Sequence, residues 1–415
     1  MTDLRFRSLC GRLALAACLL ATVSVATAQN AATSDWPGWR GPQRNGVSTD
    51  VNWGWNWPAA GPKIAWRAQV GNGFSSFAVA SGRVYTMGNT ADVDTVFCFD
   101  AANGNVLWQY SYPCPRDPLA YEGGPNSTPL VEGDRVYTLS KFGHCFCLNA
   151  QTGVVLWQRK FERSPQGPDD YKVDWGFAGS PLLAGEKLIL PVGTAGLALD
   201  KTTGETLWDN GPGRSGYSSP VPCQLGGQQA FILLSGHEVV GVAAQTGAVL
   251  WRFPWKTTWD QNAPDVVVEG DRLFVSTGHG VGCAQYDLTA TPPALLWRNK
   301  DMRNYLNSCV LWQGNLYGFT EEGPQLRCLD WRTGAARWSA GGLGQGSLIA
   351  VDGKLVVLSE KGRLVIAEAT PEAYRPLAEA DILSGRCWTT PAFANGRLYA
   401  RNAAGEVVCV DLRGQ

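Results

Sequence analysis

Few residues of the chain have the type and spacing that catalysis or metal binding requires. There are three histidines, His144, His237 and His279, and no two of them stand at the short spacing of zinc ligands. His237 and Glu238 begin like a zinc-protease helix, but the second histidine of that motif is missing. Glycine-rich segments lack the context of a nucleophile elbow or a dinucleotide loop. The sequence therefore predicts no catalytic residue and no metal site.

Residues suited to binding concentrate instead in the longest segments between predicted strands. The candidate binding residues are Asp174, Trp175, Arg214, Trp259, Asp260, Asn262, Arg303, Asn304 and Trp388. The same segments also carry Arg116, Asp117, Asp169, Asp170 and Trp255. Long loops on one face of a rigid scaffold commonly carry function, so these residues mark a working surface. An ordinary solvated loop surface is the alternative.

The elements that must position these loops are β-hairpins built from a repeated motif. Its clearest copy, Cys147–Trp157, reads C-L-N-A-Q-T-G-V-V-L-W. The Asn bonds to its own backbone to begin a turn, and the Gly accepts the positive φ that closes it. The motif recurs at Asp100–Trp108, Asp200–Trp208, Ala243–Trp251 and Asp330–Trp338.

The spacing of the motif predicts an all-β, eight-bladed β-propeller of four-stranded antiparallel blades. The docking tryptophans are Trp66, Trp108, Trp157, Trp208, Trp251, Trp297 and Trp338, and the steps between them run from 41 to 51 residues. Such periods are typical of propeller blades. The units begin near Ser75, Ser127, Ser180, Ser219, Ala263, Ser308, Ser347 and Thr390. In the seventh unit Leu377 stands where the tryptophan is expected.

The two ends of the repeat region are predicted to pair. Residues 63–66 read as a fourth strand without its first three, and the last unit stops before its own fourth strand. Joining them closes the ring and removes the last open sheet edge.

The N-terminal residues divide into a targeting segment and a strap. Residues 1–28 are predicted to be a signal peptide, with arginines, an apolar run and cleavage near Ala28. A lipoprotein acylated at Cys18 is the alternative. Residues 29–62, rich in Trp, Pro and Gly, are expected to lie as a strap against the propeller of residues 63–415. No later apolar run is long enough for a membrane span.

Composition limits the partners and the cysteine chemistry. The formal net charge is −1, so no basic stripe favours nucleic acid, and we expect an exported monomer. Cys98, Cys147, Cys328 and Cys409 each stand two residues before the turn Asp or Asn. Because this slot is filled elsewhere by small residues, we expect buried free thiols that pack as small hydrophobes.

The pattern A-x-D-x-x-T-G-x-x-x-W resembles the tryptophan-docking motif of the PQQ-like β-propeller superfamily, and the resemblance covers Ile64–Gly414. That superfamily includes the pyrroloquinoline-quinone alcohol and glucose dehydrogenases and also BamB, a non-catalytic outer-membrane assembly scaffold. The segment W-P-G-W-R-G-P-Q-R-N-G-V is similar to one that precedes such propellers in many exported bacterial proteins.

The resemblance implies a choice between enzyme and scaffold. The quinoprotein alcohol dehydrogenases hold their quinone between a Trp floor and a disulfide of adjacent cysteines, beside a Ca²⁺. This chain has no Cys-Cys pair and no C-x-x-C-H haem motif. We therefore expect no cofactor, and a non-catalytic binding or assembly scaffold of the cell envelope with a protein partner. The alternatives are a divergent PQQ-dependent dehydrogenase, in which Trp259, Asp260 and Asn262 help hold PQQ and Ca²⁺, and a carbohydrate-binding propeller.

Overall fold

A computed structural model describes residues 34–119, 121–162 and 173–414. The predicted signal peptide, its alternative Cys18, and the candidates Asp169 and Asp170 lie outside the described residues.

The described chain forms eight antiparallel blades of four strands each, which confirms the predicted propeller. The first four blades are β3–β6 (Ala78–Ala80, Arg83–Thr90, Val93–Asp100, Val106–Pro113), β7–β10 (Leu130–Glu132, Arg135–Leu139, His144–Asn149, Val155–Lys160), β11–β14 (Leu182–Ala184, Lys187–Leu190, Leu197–Asp200, Thr206–Asp209) and β15–β18 (Val221–Leu225, Gln228–Leu234, Glu238–Ala243, Val249–Pro254). The next three are β19–β22 (Val267–Glu269, Arg272–Thr277, Gly282–Asp287, Ala294–Asn299), β23–β26 (Val310–Trp312, Asn315–Thr320, Gln325–Asp330, Ala336–Ala340) and β27–β30 (Ser347–Val351, Lys354–Leu358, Arg363–Glu368, Pro376–Asp381). The eighth is β31–β33 (Ala392–Ala394, Arg397–Arg401, Glu406–Asp411) with β2 (Lys63–Gln69).

The eighth blade closes the ring by pairing strands from the two ends of the repeat region. Strand β2 runs antiparallel to β33, with Lys63 opposite Asp411 and Gln69 opposite Glu406. The Lys63 ammonium lies 3.2 Å from the Asp411 carboxylate. The predicted closure is confirmed, and the eighth sheet gains the outer strand that its own end of the chain lacks.

The face of the ring that carries the turns between third and fourth strands is called the turn face. There five of the seven docking tryptophans pack on the turn glycine of the next blade. The Trp157 Nε1 donates to the Lys201 carbonyl at 3.1 Å, and a Cβ on Gly204 would lie 2.7 Å from the Trp157 ring. The turn itself is held by Asp200, whose carboxylate accepts backbone amides. The same ring-on-glycine contact joins Trp66–Gly104, Trp108–Gly153, Trp208–Gly247 and Trp297–Gly334.

A β-bulge precedes each docking position and turns the side chain toward the neighbouring blade. In the second blade the bulge skips Leu156, which stays exposed while Trp157 is buried. In the seventh blade the skipped residue is Leu377, and Ala378 stands opposite Ile366 at the docking register. The prediction that Leu377 takes the tryptophan's place is therefore wrong by one residue, because a longer turn shifts the strand.

The repeated cysteine slot lies directly across the strand pair from the docking tryptophan. Cys98 stands opposite Trp108, and Cys147 opposite Trp157. The slot must be small because the indole covers it: a Cβ on Gly241 would lie 2.4 Å from the Trp251 ring. All ten cysteines in the described residues are free, and the four slot cysteines are buried, as predicted.

The innermost strands are joined around the channel by a relay of hydrogen bonds. In each step a backbone amide of one blade donates to a side-chain oxygen just before the innermost strand of the next blade. The donor and acceptor pairs are Ser76–Thr128 (3.2 Å), Thr128–Ser180 (2.9 Å), Ser180–Ser219 (2.9 Å), Ser219–Asp265 (2.7 Å) and Asp265–Ser308 (2.8 Å). Four of these acceptors are hydroxyls, and only Asp265 among them is a carboxylate.

The described part of the strap, residues 34–62, bonds to innermost strands near their turn-face ends. Trp36 forms a bridge with Val79 of the first blade, and strand β1 (Val47–Ser48) pairs in parallel with β27. Between these contacts Arg40 and Arg44 reach into the channel. The strap thereby closes the channel from the turn face.

Candidate functional site

The opposite face, which carries the connections between blades, is called the loop face, and at its centre lies a cavity of about 200 Å³. We call this cavity the funnel. Its aromatic lining comes from the strap and from inter-blade connections: Trp39, Phe74, Tyr121, Trp175, Tyr217, Tyr305 and Trp388. Four of these residues, Phe74, Tyr217, Tyr305 and Trp388, stand two or three positions before Ser76, Ser219, Ser308 and Thr390, which lead into innermost strands. The fold therefore delivers them to the axis of the ring.

The aromatic rings form a continuous arc around part of the funnel. The ring centroids of Trp388 and Phe74 lie 6.0 Å apart at an interplanar angle of 29°. Phe74 meets Tyr121 at 5.4 Å, and Tyr121 stacks on Trp175 at 5.9 Å. Ring-to-ring contacts of this kind fix the orientation of each ring, so the lining is pre-formed.

Cationic side chains pin the segment that carries Tyr121. The Lys141 Nζ, which is buried, binds the Asp117 carbonyl at 2.6 Å and lies 5.3 Å from the centroid of the Tyr121 ring. Across the mouth, Arg386 binds Glu122 at 2.7 Å and lies over the ring of Trp388. The ion pair of Arg386 and Glu122 thus joins the side of the funnel that carries Trp388 to the side that carries Tyr121.

The floor of the funnel belongs to the strap. The Trp39 Nε1 donates to the Asp265 carboxylate at 2.6 Å, and the Arg40 guanidinium lies 4.0 Å from the same carboxylate. Arg44 donates to the Ser180 and Pro181 carbonyls. Burial lowers the pKa of Arg40, and burial lowers that of Arg44 to about 10. The strap therefore fills the channel below the funnel with two guanidiniums, of which that of Arg40 lies beside the Asp265 carboxylate.

Most polar atoms along the funnel are already bonded within the protein. The amide nitrogen of Asn307 donates to two backbone carbonyls, and its oxygen accepts from Thr390. The Thr389 hydroxyl donates to the Phe74 carbonyl, and the Tyr217 hydroxyl accepts from the Trp175 amide. The surface that the funnel offers to a ligand is therefore chiefly aromatic.

A second concavity, the rim crevice, borders the funnel through their shared Trp175. It is lined by Leu119, Asp174, Trp175, Arg214, Trp259 and Asp260. Arg214 bridges Asp174 at 2.7 Å and Asp260 at 3.1 Å, and the His237 Nε2 lies 2.7 Å from Asp260. Trp259 is 73% exposed and has a φ of 66°, which is unusual for a bulky side chain. Strained, exposed aromatic residues of this kind cluster at binding surfaces.

The structure distributes the sequence-predicted candidates over three environments. Trp175 and Trp388 line the funnel, and Asp174, Arg214, Trp259 and Asp260 line the rim crevice. Asn262 and Asn304 are buried, and their side-chain nitrogens donate to backbone carbonyls. Arg303 pairs with Glu322 outside both linings. The last three side chains brace loops instead of facing a ligand.

Sequence reasoning missed most of the aromatic lining. Phe74, Tyr217, Tyr305 and Trp388 stand two or three residues before Ser76, Ser219, Ser308 and Thr390, and of these four aromatic residues only Trp388 is among the sequence-predicted candidates. That spacing was the available signal. Trp39 lies in the strap motif, where nothing in the sequence indicates that its ring reaches the far side of the channel.

The three histidines lie apart on the loop face. His144 contacts Ser140 and Lys160, His237 contacts Asp260, and His279 contacts Gln261. Within the described residues, no group of three or more His, Cys, Asp or Glu side chains could hold a metal ion.

The carboxylates of the funnel and the rim crevice do not form a site for a quinone held with Ca²⁺. Asp265 is the one carboxylate among the described residues lining the funnel, and its oxygens accept from Ser219 and Trp39. Asp260 is held by Arg214 and His237. Calcium requires six to eight oxygen ligands, so these residues do not fit the ion as they stand.

Comparison with known proteins places the chain in a family. The family model described as "Outer membrane protein assembly factor BamB" matches residues 95–340, which is more than half of the chain. The chain belongs to this BamB-like family of PQQ-like β-propellers. Within the described residues of the BamB-like chain, none of the helical structure is long and apolar enough to cross a bilayer.

Curated relatives of the BamB-like chain match only part of it. A quinoprotein ethanol dehydrogenase of Pseudomonas aeruginosa is 28% identical over 143 residues, covering 31% of this chain and 21% of the relative. A polyvinylalcohol dehydrogenase of Pseudomonas sp. is 30% identical over 185 residues, covering 40% and 26%. The chain thus spans about a fifth to a quarter of the length of these relatives.

Solved structures similar to the BamB-like chain include a BamB and an alcohol dehydrogenase. BamB from Moraxella catarrhalis superposes with a TM-score of 0.62 at 15% identity, covering 84% of this chain and 99% of that one. Quinohemoprotein alcohol dehydrogenase from Comamonas testosteroni gives 0.67 at 15% identity, covering 92% and 81%. At such identities the likeness establishes the fold alone.

Proposed function

We propose that the protein is an exported scaffold of the cell envelope that docks a protein partner on its loop face without catalysis. The observation that supports this best is an aromatic funnel whose polar atoms are largely bonded already, set beside a rim of charged side chains. An apolar centre with a polar rim is the usual anatomy of a protein interface. Trp, Tyr and Arg, which dominate binding energy at such interfaces, are the residues found here.

The family supports the same proposal. Its model carries the description of an outer-membrane assembly factor, and a BamB structure is matched along nearly its whole length. An envelope location also agrees with the signal peptide expected at residues 1–28. The protein is proposed to act as a monomer whose rigid ring presents the loop face.

Site-specific photo-crosslinking in the native cell envelope tests the proposal. A photoreactive residue at position 119 or 259 on the loop face should crosslink to one protein partner. The matched position 107, exposed on the turn face, should not. The crosslink should disappear in Trp388→Ala. A crosslink of equal yield from position 107, or none from the loop face, would contradict the proposal.

A divergent quinone-dependent dehydrogenase is the second candidate, because curated relatives with that activity match part of the chain. The mature protein should be titrated with PQQ and Ca²⁺ and assayed for dye reduction with alcohols. We expect no saturable PQQ binding below about 100 μM, a free energy of only some −5.5 kcal/mol, and no dye reduction. Micromolar PQQ binding with alcohol-dependent turnover would establish the dehydrogenase instead.

A further inference from the structure

We propose that the funnel is an anchor site for one neutral aromatic side chain of the docked protein, and that the strap supplies its floor through Trp39, latched by Asp265. This proposal rests on the protein-docking function above. It adds the chemical class of the group that enters and assigns a role to the strap motif.

The lining favours a neutral aromatic group because its described residues are mainly aromatic, and Asp265, the one charged side chain among them, is already paired. Three of its rings, Phe74, Tyr121 and Trp388, offer adjoining surfaces held in place by mutual contact. Offset or edge-to-face packing on such rings adds to the free energy of burying an aromatic side chain. A charged group would lose its hydration in this lining without gaining a free partner.

Asp265, the single carboxylate of the lining, does not change this conclusion. Its side chain is 3% exposed, and it accepts from the Trp39 indole at 2.6 Å and the Ser219 amide at 2.7 Å. The Arg40 guanidinium balances its charge from below. The floor therefore presents the Trp39 ring, and the carboxylate holds that ring.

A saccharide is less suited to the funnel. Sugars need several free donors and acceptors beside a stacking ring, whereas Asn307, Thr389 and Thr390 are already bonded within the protein. Each sugar hydroxyl left without a partner on burial opposes binding. A saccharide remains an outcome that the test can reveal.

Asp265 departs from the repeat in a way that identifies it as the latch. The equivalent relay acceptors Thr128, Ser180, Ser219 and Ser308 are hydroxyls that serve only the inter-blade bond. Asp265 keeps that bond through one oxygen and uses the other for Trp39. An Asp265→Ser variant would retain the relay and lose the indole partner, but it would also leave the buried Arg40 guanidinium without its carboxylate and so lower stability. Trp39→Phe removes the indole N–H and keeps the pair of Asp265 and Arg40, which separates the latch from the stability of the ring.

The test measures binding of N-acetyl-tryptophanamide to the full mature protein by calorimetry or ligand-detected NMR. Ligand efficiency for a probe of this size suggests a Kd of about 0.1–1 mM. Tyr121→Ala and Trp388→Ala should each weaken binding at least tenfold. Asp265→Ser and Trp39→Phe should each weaken it at least fivefold, the first with a lower Tm and the second with little change in Tm. The control Leu107→Ala, on the turn face, should leave the Kd unchanged.

Parallel titrations use cellobiose and PQQ with Ca²⁺ as probes. The proposal is overturned if either binds more tightly than N-acetyl-tryptophanamide, or if the Kd is the same in Trp388→Ala as in the wild type. If Asp265→Ser binds the probe normally, the latch is refuted. Loop-face crosslinks that persist while the probe fails to bind would overturn the anchor site and leave the docking function intact.

Discussion

The turn face and the loop face are built from the same eight repeats and differ in almost every other respect. On the turn face, five contacts of one kind join a tryptophan to a glycine of the next blade. On the loop face the connections differ in length and sequence, and their aromatic rings meet one another instead of repeating. Regular contacts hold the ring together, and the irregular face is left free to carry the site.

The polar side chains of the two faces differ in the same way. On the turn face, Asp200 is half-buried and accepts backbone amides, above all that of Thr203, which lower its pKa. Toward the loop face, Asp94 is buried among Asn89, Tyr112 and Cys114, and burial raises its pKa to about 6. The turn face is therefore stabilised by the charged form of Asp200, and the region of Asp94 is more stable when that carboxylate is protonated.

The largest expected effect separates a docking tryptophan from a loop tryptophan. Trp157→Ala should lower the free energy of unfolding by about 3–5 kcal/mol, because a buried ring and its inter-blade contact are lost. Trp259→Ala, at a side chain 73% exposed, should change it by less than about 0.5 kcal/mol. Urea denaturation measures both. Equal losses would mean that Trp259 belongs to the core and that the two faces are wrongly distinguished.

A pH effect of opposite sign is expected for the two carboxylates. Because the folded pKa of Asp94, about 6, lies above its ordinary value of 3.8, its contribution is full below pH 4 and is lost as pH rises through 6. The loss is up to about 3 kcal/mol. Asp94→Asn should flatten the decline of stability between pH 4 and 7.

Asp200→Asn serves as the counterpart of Asp94→Asn. It should leave the slope of stability against pH unchanged between pH 4 and 7, and it should remove the part of the stability loss that occurs as pH falls below about 4, since the pKa of Asp200 is lowered on folding. Thermal melts across this range measure both variants. A wild-type decline that persists in Asp94→Asn would show that Asp94 is not its source.

Two glycines of the turn face distinguish packing from backbone conformation. Both Gly204 and Gly133 have a positive φ, but a Cβ on Gly204 would lie 2.7 Å from the Trp157 ring while one on Gly133 meets nothing within 4 Å. Gly133→Ala should therefore cost about 1 kcal/mol. Gly204→Ala should cost about 1–3 kcal/mol more, because the indole is displaced. Equal melting temperatures for the two variants would contradict the ring-on-glycine contact.

The smallest effect concerns the ion pair across the funnel mouth. Arg386→Gln removes the partly exposed bridge to Glu122 and should cost about 0.2–1 kcal/mol of stability. The same substitution should weaken N-acetyl-tryptophanamide binding by a larger fraction than it lowers stability, because Arg386 also covers the Trp388 ring. A large stability loss without a change in Kd would assign the pair to the ring and not to the site.

The sequence predicted the ring because its determinants are local and repeated. The turn at Asn149 and Gly153 and the indole of Trp157 appear together in one short motif, so blade number and closure could be counted. The docking position of the seventh blade could not be predicted in this way, because a longer turn moves the bulge and places Ala378 at the position expected for Leu377.

The funnel could be predicted only in part because it depends on contacts between distant residues. The sequence predicts Trp175 and Trp388 as binding residues because they are aromatic side chains in polar loops, and both line the funnel. Trp39 and Asp265 are 226 residues apart, and no local pattern links them. Asn262 looked like a ligand by type, but its side chain completes backbone hydrogen bonds that only the folded loop reveals.

Closure by strand β2 also determines the order in which the molecule can be completed. Lys63 and Asp411 are 348 residues apart, so β2 emerges from the ribosome long before its partner exists. Until then, the strand and the open edge of the last blade both expose unpaired backbone groups that could join another chain. Bringing ends so far apart together also makes closure entropically slow. Assembly should therefore finish with a distinct late step, and before that step the unpaired strands make the chain most prone to aggregation.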